Sequence, residues 1–394
     1  FYKYFNFLSD SAFGIITALG GSVSRISLDL ILPVGISFYT FQTLSYVIDV
    51  YRGDLPAQRN FFFYALFVSF FPQLVAGPIE RPTNLMPQLR EPHKFNRADF
   101  EKGAKHMLVG FFKKICVADL VAPHVNAVFN GAGEATAPAV VIATVLFAVQ
   151  IYCDFSGYTD IAIGAARIMG IRLMKNFDHP YRATTVKEFW SRWHISLSGW
   201  FRDYLYIPLG GSRVGRVRHL FNIAVVFLLS GLWHGAAWTF VIWGALHALY
   251  RIVGELTGKP RARLIAKIGL DAKSASVVIF RRVVTFILVS FAWIFFRANT
   301  ISDAFVLVGK LFGKWSFESL LTLLKFDTAS IIIVVSVLVI LYIADKLLTY
   351  EDSDGASELI INGYSYIYFI FAAVLAFAFL LSEDSVSSCI YFQF

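Results

Sequence analysis

Two histidines, His194 and His234, are the residues in this chain whose types and surroundings point to chemistry. An imidazole changes charge near neutral pH, so such a pair suits general acid–base work. His234 lies at the middle of residues 219–250, HLFNIAVVFLLSGLWHGAAWTFVIWGALHALY, a stretch without Lys, Arg, Asp or Glu that is bracketed by Arg218 and Arg251. An ionisable group that deep in apolar sequence is tolerated mainly where it faces a bundle interior or a wet cavity and has a partner, which makes it a functional-site hypothesis by default. His194 sits in a more polar, aromatic stretch. The competing reading for each is a structural histidine satisfied by the core, and that reading is preferred for His219 and His247 at the edges of the apolar stretch. No rival chemistry is visible: there is no GxSxG elbow, HExxH pair, Walker loop or spaced Cys/His metal set. Cys116, Cys153 and Cys389 are far apart and odd in number, so they read as buried small hydrophobes rather than a disulfide framework.

The elements that must position these histidines belong to a membrane protein. The 394 residues are 57% hydrophobic, 17% aromatic and only 16% charged, with a mean hydropathy of +0.61. The expected fold class is therefore all-α: one polytopic integral membrane domain over residues 1–394, with about nine to eleven membrane segments plus re-entrant or interfacial pieces. Continuously apolar segments such as residues 331–343 argue against a β-barrel, whose strands would alternate. As one helix, the 32 residues of 219–250 would reach roughly 48 Å against a hydrocarbon core of about 30 Å, so a bend is expected at Gly231 and Gly235. The chain begins at Phe1 with no signal-peptide pattern and is expected to lack one or more N-terminal membrane segments.

Along the chain, residues 28–50 form a span broken by Pro33 and Gly35, and residues 61–75 a second one that the prolines of 72–82 end. Residues 81–114 carry eight basic residues and loosely spaced apolar positions (Phe95, Phe100, Met107, Leu108, Phe111), which places them on the cytoplasmic surface. Residues 137–152 are the next span, ending in a segment where Asp154 and Asp160 either cap a helix at an interfacial turn or line a polar cavity. Residues 176–217 interleave Trp190, Trp193, Trp200, Tyr204 and Tyr206 with Lys187, Arg192, Arg202 and Arg213, the pattern of an interfacial or re-entrant segment. A second cytoplasmic loop is expected over residues 251–282, which carry eight basic and two acidic residues. Residues 283–296, 331–343 and 366–381 supply further spans, with an acidic loop (Glu351, Asp352, Asp354, Glu358) between the last two. The net charge of +8 suits anionic lipid headgroups better than nucleic acid.

Five blocks together carry a resemblance: WSRWHISLSGWFRDYLYIPLGGSR (190–213), FLLSGLWHGAAWTFVIWGALHAL (227–249), DFSGYTDIAIG (154–164), VAGPIERP (75–82) and ILPVGISFYTFQTLSYVIDVYRG (31–53). The chain resembles the membrane-bound O-acyltransferase (MBOAT) family, in particular its bacterial alginate O-acetyltransferase branch. The resemblance implies acyl transfer in a bacterial cytoplasmic membrane, with acetyl-CoA as donor substrate and neither a permanently bound cofactor nor a metal. It makes His234 and His194 the catalytic positions, His234 as general base and His194 orienting the thioester or donating to an oxyanion. Arg192, Arg202, Tyr204, Asp154 and Trp233 are then expected to bind substrate. The implied partner is an extracytoplasmic serine-hydrolase-like O-acetyltransferase or a small carrier. Three alternatives stay open: D-alanyl transfer to teichoic acid from a carrier-protein thioester, a transporter or channel whose intramembrane histidines form a proton relay, and a structural membrane subunit that recruits a soluble acyltransferase and leaves both histidines dispensable.

Overall fold

The computed structural model describes residues 3–24, 26–28, 33, 35–74, 77–313, 315–347, 349–353, 356–360, 368 and 370–375, with the backbone alone for 344–347, 349–353 and 356–360. In chain order the helices are α1 (Phe5–Ala18), α2 (Ile36–Arg52), α3 (Phe61–Val68), α4 (Phe71–Leu74), α5 (Pro82–Arg90), α6 (Arg97–Phe111), α7 (Leu120–Asn130) and α8 (Ala137–Ile168). They continue with α9 (Val186–Arg192), α10 (Ile195–Phe201), α11 (Arg216–His234), α12 (Trp238–Leu256), α13 (Gly258–Lys267), α14 (Ala275–Arg297), α15 (Ile301–Leu311), α16 (Leu320–Leu323) and α17 (Thr328–Leu347). The protein is helical, as its composition requires. Among the described residues the one exception is a small antiparallel hairpin, β1 (Thr349–Ser353) with β2 (Ala356–Ile360), which replaces the acidic loop expected there. Asp354 and Cys389 lie outside the described residues, as does most of the span expected at 366–381.

Among the described residues, α8, α11 and α14 are each long and apolar enough to cross a membrane, and α17 holds a shorter apolar run. The central stretch bends where the glycines foretell. α11 stops at His234, Gly235 to Ala237 turn the chain, and α12 returns alongside. Gly231 does not itself break the helix. A Cβ there would collide with the Phe240 carbonyl, and one at Gly244 with the Phe227 carbonyl, so the two glycines let the arms of the hairpin touch backbone to backbone. Gly235 lies under the Phe240 ring, which leaves no room for a side chain.

The second organising pair is α6 against α8, and it corrects two expectations. α8 does not end near Tyr152. It runs unbroken for 32 residues, so Asp154 and Asp160 are mid-helix and neither is a cap. Residues 81–114 are not a surface segment throughout: Phe95, Phe100 and Phe111 are exposed, while Gly103, His106, Val109 and Gly110 face α8. A Cβ at Gly103 would come within 2.6 Å of the Gly164 carbonyl, and one at Gly110 within 2.5 Å of the Gly157 carbonyl. Backbones this close shorten the reach between charged side chains. Arg167 pairs with Asp99 at 2.5 Å, Lys113 with Asp160 at 2.6 Å, and Lys114 with Asp154 at 2.7 Å and Asp119 at 2.8 Å. Between α6 and α7 the chain takes a π-helical turn, Phe112–Asp119, which is wider than an α-turn and lets the consecutive lysines 113 and 114 both turn inward. Charge patterning placed these lysines in water because their partners on α8, Asp160 and Asp154, lie far away in sequence.

A buried pair of this kind is costly to break from one side, at about 3–5 kcal/mol, while replacing both charges by apolar groups is close to neutral. Lys113→Met is therefore expected to lower the apparent Tm in detergent markedly, and Lys113→Met/Asp160→Leu to recover most of the loss. Equal Tm values for the single variant and the parent would mean the pair carries no fold energy.

Candidate active site

His194 joins α9 to α10 at φ 44° and ψ 55°, a left-handed conformation uncommon for a residue other than glycine. Asn176 holds it there. Its main-chain carbonyl accepts from Ile195 N at 2.9 Å, its Oδ1 from Ser196 N at 3.2 Å and Ser196 Oγ at 2.8 Å, and its Nδ2 donates to Thr159 Oγ1 of α8 at 3.3 Å. The Ser196 amide can only donate, so the atom facing it is the Asn176 oxygen and the orientation of the side-chain amide follows. His194 Nδ1 lies 3.1 Å from that same oxygen. Nδ1 must therefore carry the proton, and in the neutral imidazole Nε2 is the basic nitrogen. Despite its polar neighbours in sequence, His194 is fully buried within the protein at 0% exposure. Its ring stands edge-on to Phe155 of α8 at 4.6 Å between centroids.

His234 is the last residue of α11, at the tip of the hairpin, and is 6% exposed. Aromatic rings surround its imidazole: Trp233 at 4.8 Å, Trp243 of α12 at 5.0 Å and Phe296 of α14 at 5.3 Å. Trp233 also lies 6.1 Å from His194, so a single indole touches both histidines. Phe41 of α2 stacks on that indole at 5.3 Å and 8°. The site is thus assembled from α2, α8, the α9–α10 junction, the α11–α12 tip and α14, each contributing an aromatic wall or a histidine.

The other residues expected to bind substrate divide. Trp233 is in the site. Asp154 is 1% exposed and bound to Lys114, one residue from Phe155. Arg192 is held by Glu188 and Asp178 on the outer side of α9. Arg202 is an exposed partner of Asp203. Tyr204 donates to both oxygens of Asp49, at 2.8 and 2.9 Å, beneath the Arg81 guanidinium. Tyr204 connects to the histidines through a run of rings, tilted against Trp200 at 5.1 Å, with Trp200 stacked on Phe41 at 4.0 Å and Phe41 on Trp233 at 5.3 Å. His247 accepts the Trp190 indole N–H at 3.1 Å and packs against Trp243. His219 joins Tyr206 and Glu255 at the opposite end of the hairpin from His234. Asn176 and Ser196 escaped notice in the sequence because a neutral amide or hydroxyl carries no signal of its own.

With Nδ1 facing the Asn176 oxygen, a neutral His194 presents Nε2 as its lone-pair nitrogen. Removing the amide that fixes this tautomer, Asn176→Ala, is expected to lower acyl-transfer turnover by about 100-fold, on the scale of lost general acid–base assistance. Wild-type turnover in the folded variant would show that the tautomer lock is not used.

Residues 55–298, more than half of the chain, match the model of "MBOAT, membrane-bound O-acyltransferase family". The chain is 40% identical to a protein of Azotobacter vinelandii described as a probable alginate O-acetylase AlgI, over 81% of this chain and 62% of that protein. It is 35% identical to the peptidoglycan O-acetyltransferase of Helicobacter pylori, over 73% of this chain and 58% of the relative. The teichoic acid D-alanyltransferase of Bacillus subtilis is 29% identical over 56% of this chain and 58% of that protein. The chain spans about three-fifths of the length of these relatives. Both histidines fall within the matched residues, and the chain belongs to the membrane-bound O-acyltransferase family.

Proposed function

We propose that this protein is a membrane O-acetyltransferase that takes acetyl from cytoplasmic acetyl-CoA and passes it across the membrane for O-acetylation of an extracytoplasmic polysaccharide. The observation that carries the proposal is the meeting of two buried histidines at one indole, with His194 held in a single tautomer by Asn176. Moving an acyl group from a thioester to a hydroxyl forms a C–O bond and breaks a C–S bond. The hydroxyl proton must leave, and the thiolate must receive one. In this reading His234 takes the proton and returns it to the leaving sulfur, while the Nε2 lone pair of His194 accepts a hydrogen bond from the hydroxyl and orients it. The aromatic walls exclude water, which would otherwise compete as acceptor and hydrolyse the thioester.

Acetyl is favoured over D-alanyl because the acetylating relatives match a larger share of the chain at higher identity. Exposed basic residues in 90–105 and 251–282 suit the anionic diphosphate of CoA. A polymer is too large and too hydrated to enter a site whose histidines are 0% and 6% exposed, since each unpaired polar group buried would cost several kcal/mol. The acetyl group therefore leaves on a hydroxyl supplied from outside, by a serine-hydrolase-like O-acetyltransferase or a small carrier that hands it to the polymer.

Reconstitution in liposomes with acetyl-CoA inside and partner and polymer outside tests this reading. His234→Gln, with an unchanged Tm, is expected to reduce CoA thiol release by at least about 10³-fold. Wild-type release by the folded variant would overturn the assignment, and polymer acetylation that added partner does not raise would overturn the relay.

A further inference from the structure

The geometry points to Lys3 as the positioning residue for His234, an inference that rests on His234 being the proton-transfer group proposed above. The last carbonyls of a helix have no partner within it and must find one elsewhere. At the end of α11, Gly231 O accepts from Gly235 N at 3.3 Å, and the next three carbonyls are met by two consecutive residues from the beginning of the chain. Tyr4 donates its hydroxyl to Leu232 O at 3.2 Å. The Lys3 ammonium donates to Trp233 O at 2.6 Å and to His234 O at 3.2 Å, and lies 3.4 Å from Ser37 Oγ in the first turn of α2.

The two Lys3 bonds differ in kind from an ordinary helix cap. Trp233 O belongs to the peptide group that enters His234, and His234 O to the one that leaves it. One ammonium therefore fixes the peptide planes on both sides of the His234 Cα, and with them the direction in which its Cβ projects the imidazole. A cation at a helix C-terminus is also favoured by the helix dipole, which strengthens the hold where α11 carries its negative end. The segment is tied to the tip a second time, by Phe7 against Trp238 at 5.5 Å in the first turn of α12. Lys3 touches no reacting atom in this scheme. Its work is to keep the imidazole aimed, and a displacement of about 1 Å in such a group is enough to cost on the order of 100-fold in rate.

The test uses purified protein and release of CoA thiol from acetyl-CoA, with kcat, KM and Tm measured for each variant. Lys3→Met is expected to lower kcat by about 10- to 100-fold while KM for acetyl-CoA stays within about 2-fold and Tm within a few degrees. Lys3→Arg, which keeps a cationic donor, is expected to restore kcat to within several-fold of the parent. A Lys3→Met protein with the parent's kcat overturns the inference, as does a Lys3→Arg protein no faster than Lys3→Met. If Lys3→Met does not fold, Lys3→Gln takes its place, and loss of folding in both assigns Lys3 to folding alone and overturns the positioning role. His234→Gln is run in parallel: full turnover there means the reading of His234 has failed, whereas a dead His234→Gln beside a normal Lys3→Met means that only the role of Lys3 has.

Discussion

Everything at the centre of this protein follows from how a helix is allowed to end in apolar surroundings. Four carbonyls at such an end have no partner in the helix, and water is not at hand to supply one. α11 ends there because Gly235 and Ala237 turn extended and α12 folds back, with Gly231 meeting Gly244 so closely that no side chain could intervene. Its last carbonyls are then satisfied by residues brought from the start of the chain, Lys3 and Tyr4. The residue left at that end is His234. The α9–α10 junction obeys the same rule: a left-handed His194 opens the backbone, and the Asn176 side chain and carbonyl close it again. Both histidines thus occupy breaks in helices, where a side chain can be aimed by hydrogen bonds to the adjoining backbone rather than by helical periodicity alone.

The scaffold around these breaks is held by close glycine contacts and buried ion pairs between α8 and the segment made of α6 and the π-helical turn that follows it. Neither device gains much from the hydrophobic effect in a lipid environment, where packing and satisfied polar groups decide helix association. A ladder of Asp99–Arg167, Asp160–Lys113 and Asp154–Lys114 fixes the register of the two helices, because sliding one past the other would leave several charges unpaired at once. That register sets where Phe155 and Thr159 of α8 stand, and these two side chains meet His194 and its partner Asn176.

The parts of this arrangement that were legible in the sequence are those that depend on local chemistry. A 32-residue apolar stretch too long for one helix, with glycines at its centre, pointed to a bend beside His234, though not to a full reversal that sets His234 at the tip of a hairpin. Composition gave the helical membrane class. The parts that were not legible depend on partners far away in the chain. Lys113 and Lys114 read as solvated charges until α8 supplied Asp160 and Asp154. Asp154 and Asp160 read as caps for the same reason, since a carboxylate inside a helix looks out of place until its cation is known. His194 read as part of an interfacial or re-entrant segment because charged and hydroxylated neighbours surround it in sequence, yet Ser196 turns inward with the imidazole and shares its Asn176 partner. Tyr204 and Arg202 were expected at the site by proximity along the chain, but the π-helical turn over Arg202–Tyr206 directs them to Asp49, Asp203 and Arg81 instead.

One indole contacts both buried histidines, and the proposed function makes the two a single acid–base unit. Groups that act as a unit lose their effect together, whereas independent groups lose it in multiplied factors. A double-mutant cycle on acyl transfer, comparing His194→Ala, His234→Ala and the double variant in folded protein, measures this directly. The account predicts that the double variant is no slower than the slower of the two single ones. Losses that multiply would contradict it and would mean that the two histidines, though they share Trp233, serve separate steps.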